Sequence, residues 1–133
     1  MPTLTTRLRI IAWDETPVAD FDEGGKITRA TVELDDGVDG LERGQFESVM
    51  YYRPEGTSAY VNVMRLTATL NGRSGSFVLT GDGTYDGTTA SGVSTIVAGT
   101  ATGGLVGLTG TISSSSTQAD YPFMPLILDY DLT

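Results

Sequence analysis

The fold of this chain is decided by residues 64–110, which read MRLTATLNGRSGSFVLTGDGTYDGTTASGVSTIVAGTATGGLVGLTG. Polar and apolar residues alternate in short segments of this stretch, and glycines separate the segments, as is typical of β-strands joined by tight turns. Asn71-Gly72 stands between two alternating segments and is the clearest signal of a two-residue hairpin. No helical periodicity fits these residues, so the stretch predicts short antiparallel strands.

The alternation continues on both sides of this stretch and predicts eight strands with no helical segment between them. Eight short strands at regular spacing indicate a single all-β domain over residues 1–133. Several strands carry large side chains on both faces, which favours a closed antiparallel barrel over a sandwich. Such a barrel has a central cavity with room for one small ligand. The outward apolar residues would contact a partner subunit, so a homodimer is expected.

Three local assignments follow from the same pattern. Alternation in the first segment places Ile10 and Ala12 on the face opposite Trp13. Residues 104–113 read as a strand. The serine run at 113–116 is the only low-complexity tract, and we expect it to form a loop.

Net charge excludes several classes of partner. The chain has 17 acidic and 8 basic residues, a net charge of -9, whereas nucleic acid and anionic membranes require clustered cations. No apolar run approaches the roughly 20 residues of a membrane helix. The N-terminus, MPTLTTRLRI, lacks the apolar core of a signal peptide, so a cytoplasmic protein is expected.

The chain contains neither histidine nor cysteine. Zinc and copper sites normally need imidazole or thiolate ligands, and the Ser-His-Asp and Cys-His systems need a histidine base. Any enzyme here would therefore be metal-free or use only oxygen ligands, and we expect no metal and no cofactor. Chemistry is left to carboxylates, tyrosines, serines, lysine, arginines and the backbone.

Four features together resemble the DUF3224 family, whose barrel is similar to that of allene oxide cyclase. They are Trp13-x-Glu15 near the start, Arg65 six residues before NGRSGSFVL (71–79), the pattern Gly99-x-x-Thr102-Gly103-x-Leu105-x-Gly107-Leu108-x-Gly110, and the closing LDYDL (128–132). The resemblance covers nearly the whole chain. It implies an eight-stranded antiparallel barrel that opens at one end to a cavity, and it implies no particular reaction.

Barrels similar to this one include plant allene oxide cyclase and bacterial cyclases that close rings in linear polyketides, some by Diels–Alder cycloaddition. These enzymes resemble moulds that hold an apolar substrate in a reactive conformation. By this resemblance we expect a cofactor-free cyclase or isomerase acting on a small hydrophobic, polyketide-like substrate. One alternative is a non-catalytic, lipocalin-like carrier of a small apolar ligand. The other is a housekeeping or interaction protein whose barrel is filled with side chains and holds no ligand.

The chain departs from the family pattern at two positions. Met64-Arg65 stands where the family usually has Glu-Arg, and Gly81 stands where it usually has a histidine. Both changes remove an ionisable group. If both positions face inward, the cavity is roomier and more apolar than in typical members.

Three residues are candidates for catalysis. Glu47 lies in the middle of a predicted strand, opposite the face formed by Phe46 and Ser48. If Glu47 faces inward, loss of water would raise the pKa of its carboxyl and make it an acid or base. An outward surface charge is the alternative. The hydroxyls of Tyr51 and Tyr60 would polarise a substrate carbonyl.

Four residues are candidates for contact with the substrate. Trp13, Met64 and Phe77 would shape the cavity, although packing in the core or at an interface explains them equally well. Arg65 would contact the substrate, with an ion pair in the barrel wall as the alternative. Strand alternation means that the candidates do not all point inward.

Overall fold

Eight strands make up most of the computed structural model, which describes residues 2–132 apart from the side chain of Gln118. The strands are β1 (Thr3–Asp20), β2 (Lys26–Asp35), β3 (Leu41–Tyr52), β4 (Ser58–Leu70), β5 (Arg73–Tyr85), β6 (Thr89–Ile96), β7 (Thr109–Thr117) and β8 (Phe123–Asp131). Two short 3-10 turns accompany them, Gly103–Leu105 and Gln118–Asp120. Each strand pairs antiparallel with the next, and β8 pairs with β1, so the sheet closes into a barrel. This confirms the predicted fold class.

The Asn71-Gly72 turn has the predicted form. Leu70 pairs with Arg73, which leaves two residues in the turn between β4 and β5. Their φ angles are 53° and 74°. Positive φ at both central positions matches the right-handed twist of the flanking strands, and asparagine and glycine adopt it at little cost.

A bulge in β1 makes the predicted alternation wrong at Trp13. Ile10 pairs with Leu34 and Ala12 with Glu33, so Ile11 is an extra residue without a partner in β2. The extra residue reverses the inward and outward order beyond it. Trp13 therefore faces inward together with Ile10, and Ala12 faces outward.

One end of the barrel is closed by an apolar plug. Phe77, Leu66 and Leu79 are completely buried there on neighbouring strands. The connection between β6 and β7, residues 97–108, also inserts Leu105 and Leu108 into the same core. Residues 104–108 are thus loop rather than strand, because positive φ angles at two of the glycines in this connection, 59° at Gly103 and 93° at Gly107, turn the chain out of an extended course.

The serine run is not a loop. Residues 113–116 lie within β7, and cross-strand pairing alternates them between the two faces of the wall. A serine has modest strand propensity, but pairing with β6 and β8 on both sides overrides it here. Met1 and Thr133, which belong to the predicted domain, lie outside the described residues. No helix within residues 2–132 is long and apolar enough to cross a membrane.

Candidate functional site

The barrel is hollow at the end opposite the plug. A cavity of about 320 Å³ lies there, bounded by residues from all strands except β2 and by the β7–β8 connection. Trp13 and Tyr121 line it and are 44% and 63% exposed, so the cavity opens to solvent on their side. The opening follows from strand length: β1 pairs with β8 only up to Arg9, and its remaining residues form the projecting β1–β2 hairpin.

The cavity is lined mainly by aromatic and thioether side chains, with several serine hydroxyls among them. Its apolar lining includes Phe46, Met50, Tyr60, Met64, Tyr85, Phe123 and Met124. Serines supply hydroxyls from several strands, Ser48 and Ser58 from β3 and β4 and Ser94, Ser114 and Ser116 from β6 and β7. Ser94 Oγ donates to Asn62 Oδ1 at 3.4 Å. A large apolar surface with a few convergent polar groups is the usual character of small-molecule sites.

A carboxylate is held at the cavity mouth by three donors. Glu15 pairs with Ala30, which is fully buried on the inner face of β2, so Glu15 shares that face. Trp13 Nε1 donates to Glu15 Oε1 at 3.0 Å. Thr28 Oγ1 and Tyr52 Oη donate to Glu15 Oε2 at 2.7 Å and 2.9 Å. The indole and the phenol that line the cavity are thereby fixed to one acidic group.

These hydrogen bonds change the acidity of both partners. Burial raises the pKa of Glu15, but donation from Thr28, Trp13 and Tyr52 and the positive charge of Lys26 outweigh burial and lower it below its usual value. Burial raises the pKa of Tyr52, and the bond to Glu15 and its negative charge raise it further, to about 12. At neutral pH the pair is therefore a carboxylate accepting from a neutral phenol.

Tyr52→Phe is expected to lower stability by about 1 kcal/mol at neutral pH, because a partly exposed bond to a carboxylate is lost. The pKa of Tyr52 is about 12 when folded and about 10 when unfolded, so its stabilisation is complete below pH 10 and is lost as the pH rises through 12. Thermal midpoints of the wild type should therefore fall more steeply than those of Y52F above pH 10. Tyr51→Phe, on the outer face, is the control, and equal slopes for wild type and Y52F would contradict the bond.

Three of the sequence-predicted residues meet in the cavity. Trp13, Tyr60 and Met64 all line it. Burial, followed by the negative charge of Asp82, raises the pKa of Tyr60, so its hydroxyl stays protonated. No hydrogen bond joins the Tyr60 hydroxyl to another described residue, which leaves it available to a ligand oxygen. Gly83 lies under the Tyr60 ring, where an added Cβ would come within 2.4 Å of the hydroxyl.

The other two catalytic candidates, Glu47 and Tyr51, lie on the outer face of the barrel and not in the cavity. Glu47 faces solvent, with Thr31 Oγ1 donating to its Oε2 at 2.8 Å and Arg29 Nη2 lying 3.3 Å from its Oε1. Those two hydrogen bonds lower the pKa of Glu47 instead of raising it. Tyr51 also faces outward, beside Phe21 at 6.3 Å between ring centroids. The condition for an acid–base role of Glu47, an inward carboxyl, is not met, because the inner positions of β3 belong to Phe46, Ser48, Met50 and Tyr52.

Two binding candidates support the plug instead of the cavity. Phe77 is fully buried and faces the closed end of the barrel. Arg65 lies on the outer wall, where its Nη2 donates to Ser76 Oγ at 3.1 Å. Ser76 in turn is 2.8 Å from Thr102 Oγ1, in the connection that carries Leu105 into the core. Arg65 therefore fastens this connection to the wall and does not contact a ligand in the cavity.

The two departures from the family pattern both fall on the inner face. Met64 lines the cavity. Gly81 pairs with Asn62 and with Ser94, which both line the cavity as well. An added Cβ at Gly81 would come within 2.2 Å of the Val93 carbonyl oxygen. Both positions therefore face inward, which is the condition under which a roomier and more apolar cavity is expected.

Sequence reasoning missed the polar part of the site. Neither Glu15 nor Tyr52 is among the predicted catalytic and binding residues, and the serines of β7 at 113–116 were predicted to form a loop. The Trp13-x-Glu15 spacing was the available signal, since two residues apart on one strand share a face. Within residues 2–132, no group of three or more acidic side chains is placed to hold a metal ion.

A closed eight-stranded antiparallel barrel with an open-ended cavity is the class of protein that these features define. The family model described as "Protein of unknown function (DUF3224)" matches residues 4–126, and the chain belongs to this family. Comparison with curated proteins gives no match. A solved structure of a DUF3224 protein of unknown function from Shewanella oneidensis MR-1 is similar, with a TM-score of 0.72, 21% identity and 99% of each chain covered. At that identity the likeness supports the fold alone.

Proposed function

We propose that this protein is a cofactor-free cyclase or isomerase, which binds a hydrophobic, polyketide-like substrate in the cavity and promotes closure of a ring. The observation that carries the proposal is the division of the barrel into a solid plug and an apolar cavity of about 320 Å³. A barrel that only needed to be stable would fill both ends, because buried apolar contacts stabilise the fold. The remaining hollow is suited to a guest molecule.

Catalysis would come from holding the bound substrate in a reactive conformation. A linear, unsaturated chain folded against the aromatic lining would have its reacting carbons held together, which removes up to about 7–11 kcal/mol of barrier in ideal cases. In a Diels–Alder closure two carbon–carbon bonds form from existing π bonds and no atom leaves. The Tyr60 hydroxyl, which has no hydrogen-bond partner among the described residues, would donate to a substrate carbonyl and polarise it.

The resemblance that we infer between the DUF3224 barrel and that of allene oxide cyclase favours a cyclase, since such enzymes resemble moulds for apolar substrates. The alternative is a non-catalytic, lipocalin-like barrel that carries a small apolar ligand, and the same cavity supports it. The location in the cytoplasm stays a prediction. So does the homodimer, for which Val49, Val61 and Val63 provide exposed apolar surface on the outer wall.

Native mass spectrometry after exposure to extract of the host, followed by chromatography of the released molecules, tests the proposal. Ring closure by isomerisation conserves mass and changes retention. A cyclase should release an isomer of the captured molecule, whereas a carrier should return it unchanged. If the protein retains no small molecule and also fails to bind the neutral probe N-phenyl-1-naphthylamine, both functions are excluded.

Tyr60→Phe is expected to reduce turnover of the captured substrate only about threefold, because a mould keeps its shape when one hydroxyl is removed. A group that transfers a proton would cost about 100-fold or more. The measurement is the rate at which the isomer appears under single-turnover conditions, and Tyr51→Phe is the matched control on the outer face. A 100-fold lower rate of isomer formation in Y60F, with unchanged thermal stability, would contradict the mould and support an acid–base mechanism.

A further inference from the structure

We propose that the cavity selects a ligand carrying an ammonium group, which is held at the mouth by the Trp13 and Tyr52 rings and the Glu15 carboxylate while the apolar remainder lies inside. This inference depends on the proposed binding function and adds the charge class of the ligand. Binding in the cavity and preference for a cation are measured separately, so the failure of one is distinguishable from the failure of the other.

Aromatic rings surround the mouth on several sides. The Trp13 and Phe46 rings lie at 85° to each other with 6.4 Å between centroids, and 44% of Trp13 stays exposed, which leaves part of the indole for another contact. Tyr121 also lines the opening. Cations bind the faces of tryptophan and tyrosine, and cages of such rings recognise quaternary ammonium groups. The Tyr52 ring already attracts a cation of the protein, since Lys26 Nζ lies 5.2 Å from its centroid.

The charges at the mouth favour a cation as well. No lysine or arginine occurs among the described residues that line the cavity, and the Glu15 carboxylate is held at its mouth by Tyr52. Glu15 accepts one hydrogen bond on Oε1 and two on Oε2, so Oε1 keeps acceptor capacity for a ligand. The three donors hold this carboxylate beside the two rings without neutralising it.

The rim extends this negative field. The four connections at the open end contain Asp22, Glu23, Glu55, Asp86 and Asp120 against one basic residue, Arg53. Lys26 is the basic side chain nearest to Glu15, but it is exposed at the start of β2, where solvent screens it. A mouth lined by one sign of charge attracts the opposite sign and repels its own. Carboxylate and phosphate ligands are thus disfavoured.

The test uses Trp13, which is the only tryptophan of the chain and lies in the site. Its fluorescence is titrated with three probes of matched shape: phenyltrimethylammonium, the neutral tert-butylbenzene and the anionic benzenesulfonate. The cation is expected to bind about tenfold more tightly than the neutral probe, the size of a desolvated cation–π contact aided by a carboxylate. The anion is expected to bind at least about tenfold more weakly than the neutral probe.

Two variants with the same change in charge separate the site from the overall field. Glu15→Gln should reduce the preference for the cation to about twofold or less, whereas Glu47→Gln, on the outer wall, should leave it unchanged. Lys26→Met keeps Glu15 and should increase the preference about threefold. It also provides a test if E15Q does not fold.

The outcomes distinguish the two proposals. If the neutral probe binds and the cation has no advantage, the ammonium proposal is overturned and the binding function stands. If E15Q and E47Q reduce the preference equally, the mouth has no specific role and the proposal is likewise overturned. If no probe changes the Trp13 emission and N-phenyl-1-naphthylamine also fails to bind, the binding function itself fails.

Discussion

Ser114→Phe should abolish most binding in the cavity, with an affinity for N-phenyl-1-naphthylamine about 100-fold below that of the wild type, or close to 3 kcal/mol. Ser114 faces inward from β7, beside Leu126 and Gly92. A phenylalanine ring there would occupy a large part of a space of about 320 Å³. The affinity is measured by the fluorescence increase of the probe, and turnover of the natural substrate should fall in parallel.

Ser115→Phe is the matched control, since the next residue of the same strand is exposed on the outer face. It adds the same ring to the same strand without entering the cavity, so its affinity should stay within about twofold of the wild type. The melting temperature of S114F should be unchanged or higher, because the ring fills an existing space instead of displacing packed atoms. Equal losses in both variants, or full binding by S114F, would show that the ligand lies elsewhere.

Phe77→Ala should give the largest loss of stability, about 3–5 kcal/mol in the free energy of unfolding measured by urea denaturation. The side chain is 0% exposed and lies among Leu66, Leu79 and Leu105 in the plug. Its removal leaves a void that the closed barrel wall is unable to fill, because backbone hydrogen bonds on both sides of each strand restrict collapse. The same experiment on Val63→Ala, an outward position 52% exposed, should show a change of about 0.5 kcal/mol or less.

The folded fraction of F77A provides a second readout. Because Phe77 supports the plug and does not line the cavity, folded F77A should bind N-phenyl-1-naphthylamine within about threefold of the wild type. An affinity loss of 100-fold in a variant that is demonstrably folded would restore the original prediction that Phe77 contacts the ligand.

The fold was predictable because its signals are local. Alternation in β4 placed Tyr60 and Met64 on one face, and the paired register of β4 with β3 and β5 bears this out. Asn71-Gly72 specified a turn whose conformation depends on those two residues alone. Long strands with a strict period of two permit no other regular structure, so the class of fold was evident before any contact was known.

The site was predictable only in part. For β3 the two faces were separated correctly, but Glu47 and Tyr51 were chosen from the face that turned out to be outside. The sequence of a strand does not indicate which of its faces lies inside a barrel when both faces carry large side chains. The sequence also gives no signal of the bulge at Ile11, and this bulge turns Trp13 and Glu15 inward.

Local chemistry therefore accounts for the eight strands, their principal turn and the absence of imidazole and thiolate chemistry, because each depends on neighbouring residues or on composition. Closure of the sheet accounts for everything that depends on distant residues. It places Glu15 of β1 beside Tyr52 of β3, packs residues 97–108 into one end and leaves the other end hollow. The physical reason is that a cavity is defined by which faces meet across the barrel, and that relation exists only once β8 has paired with β1.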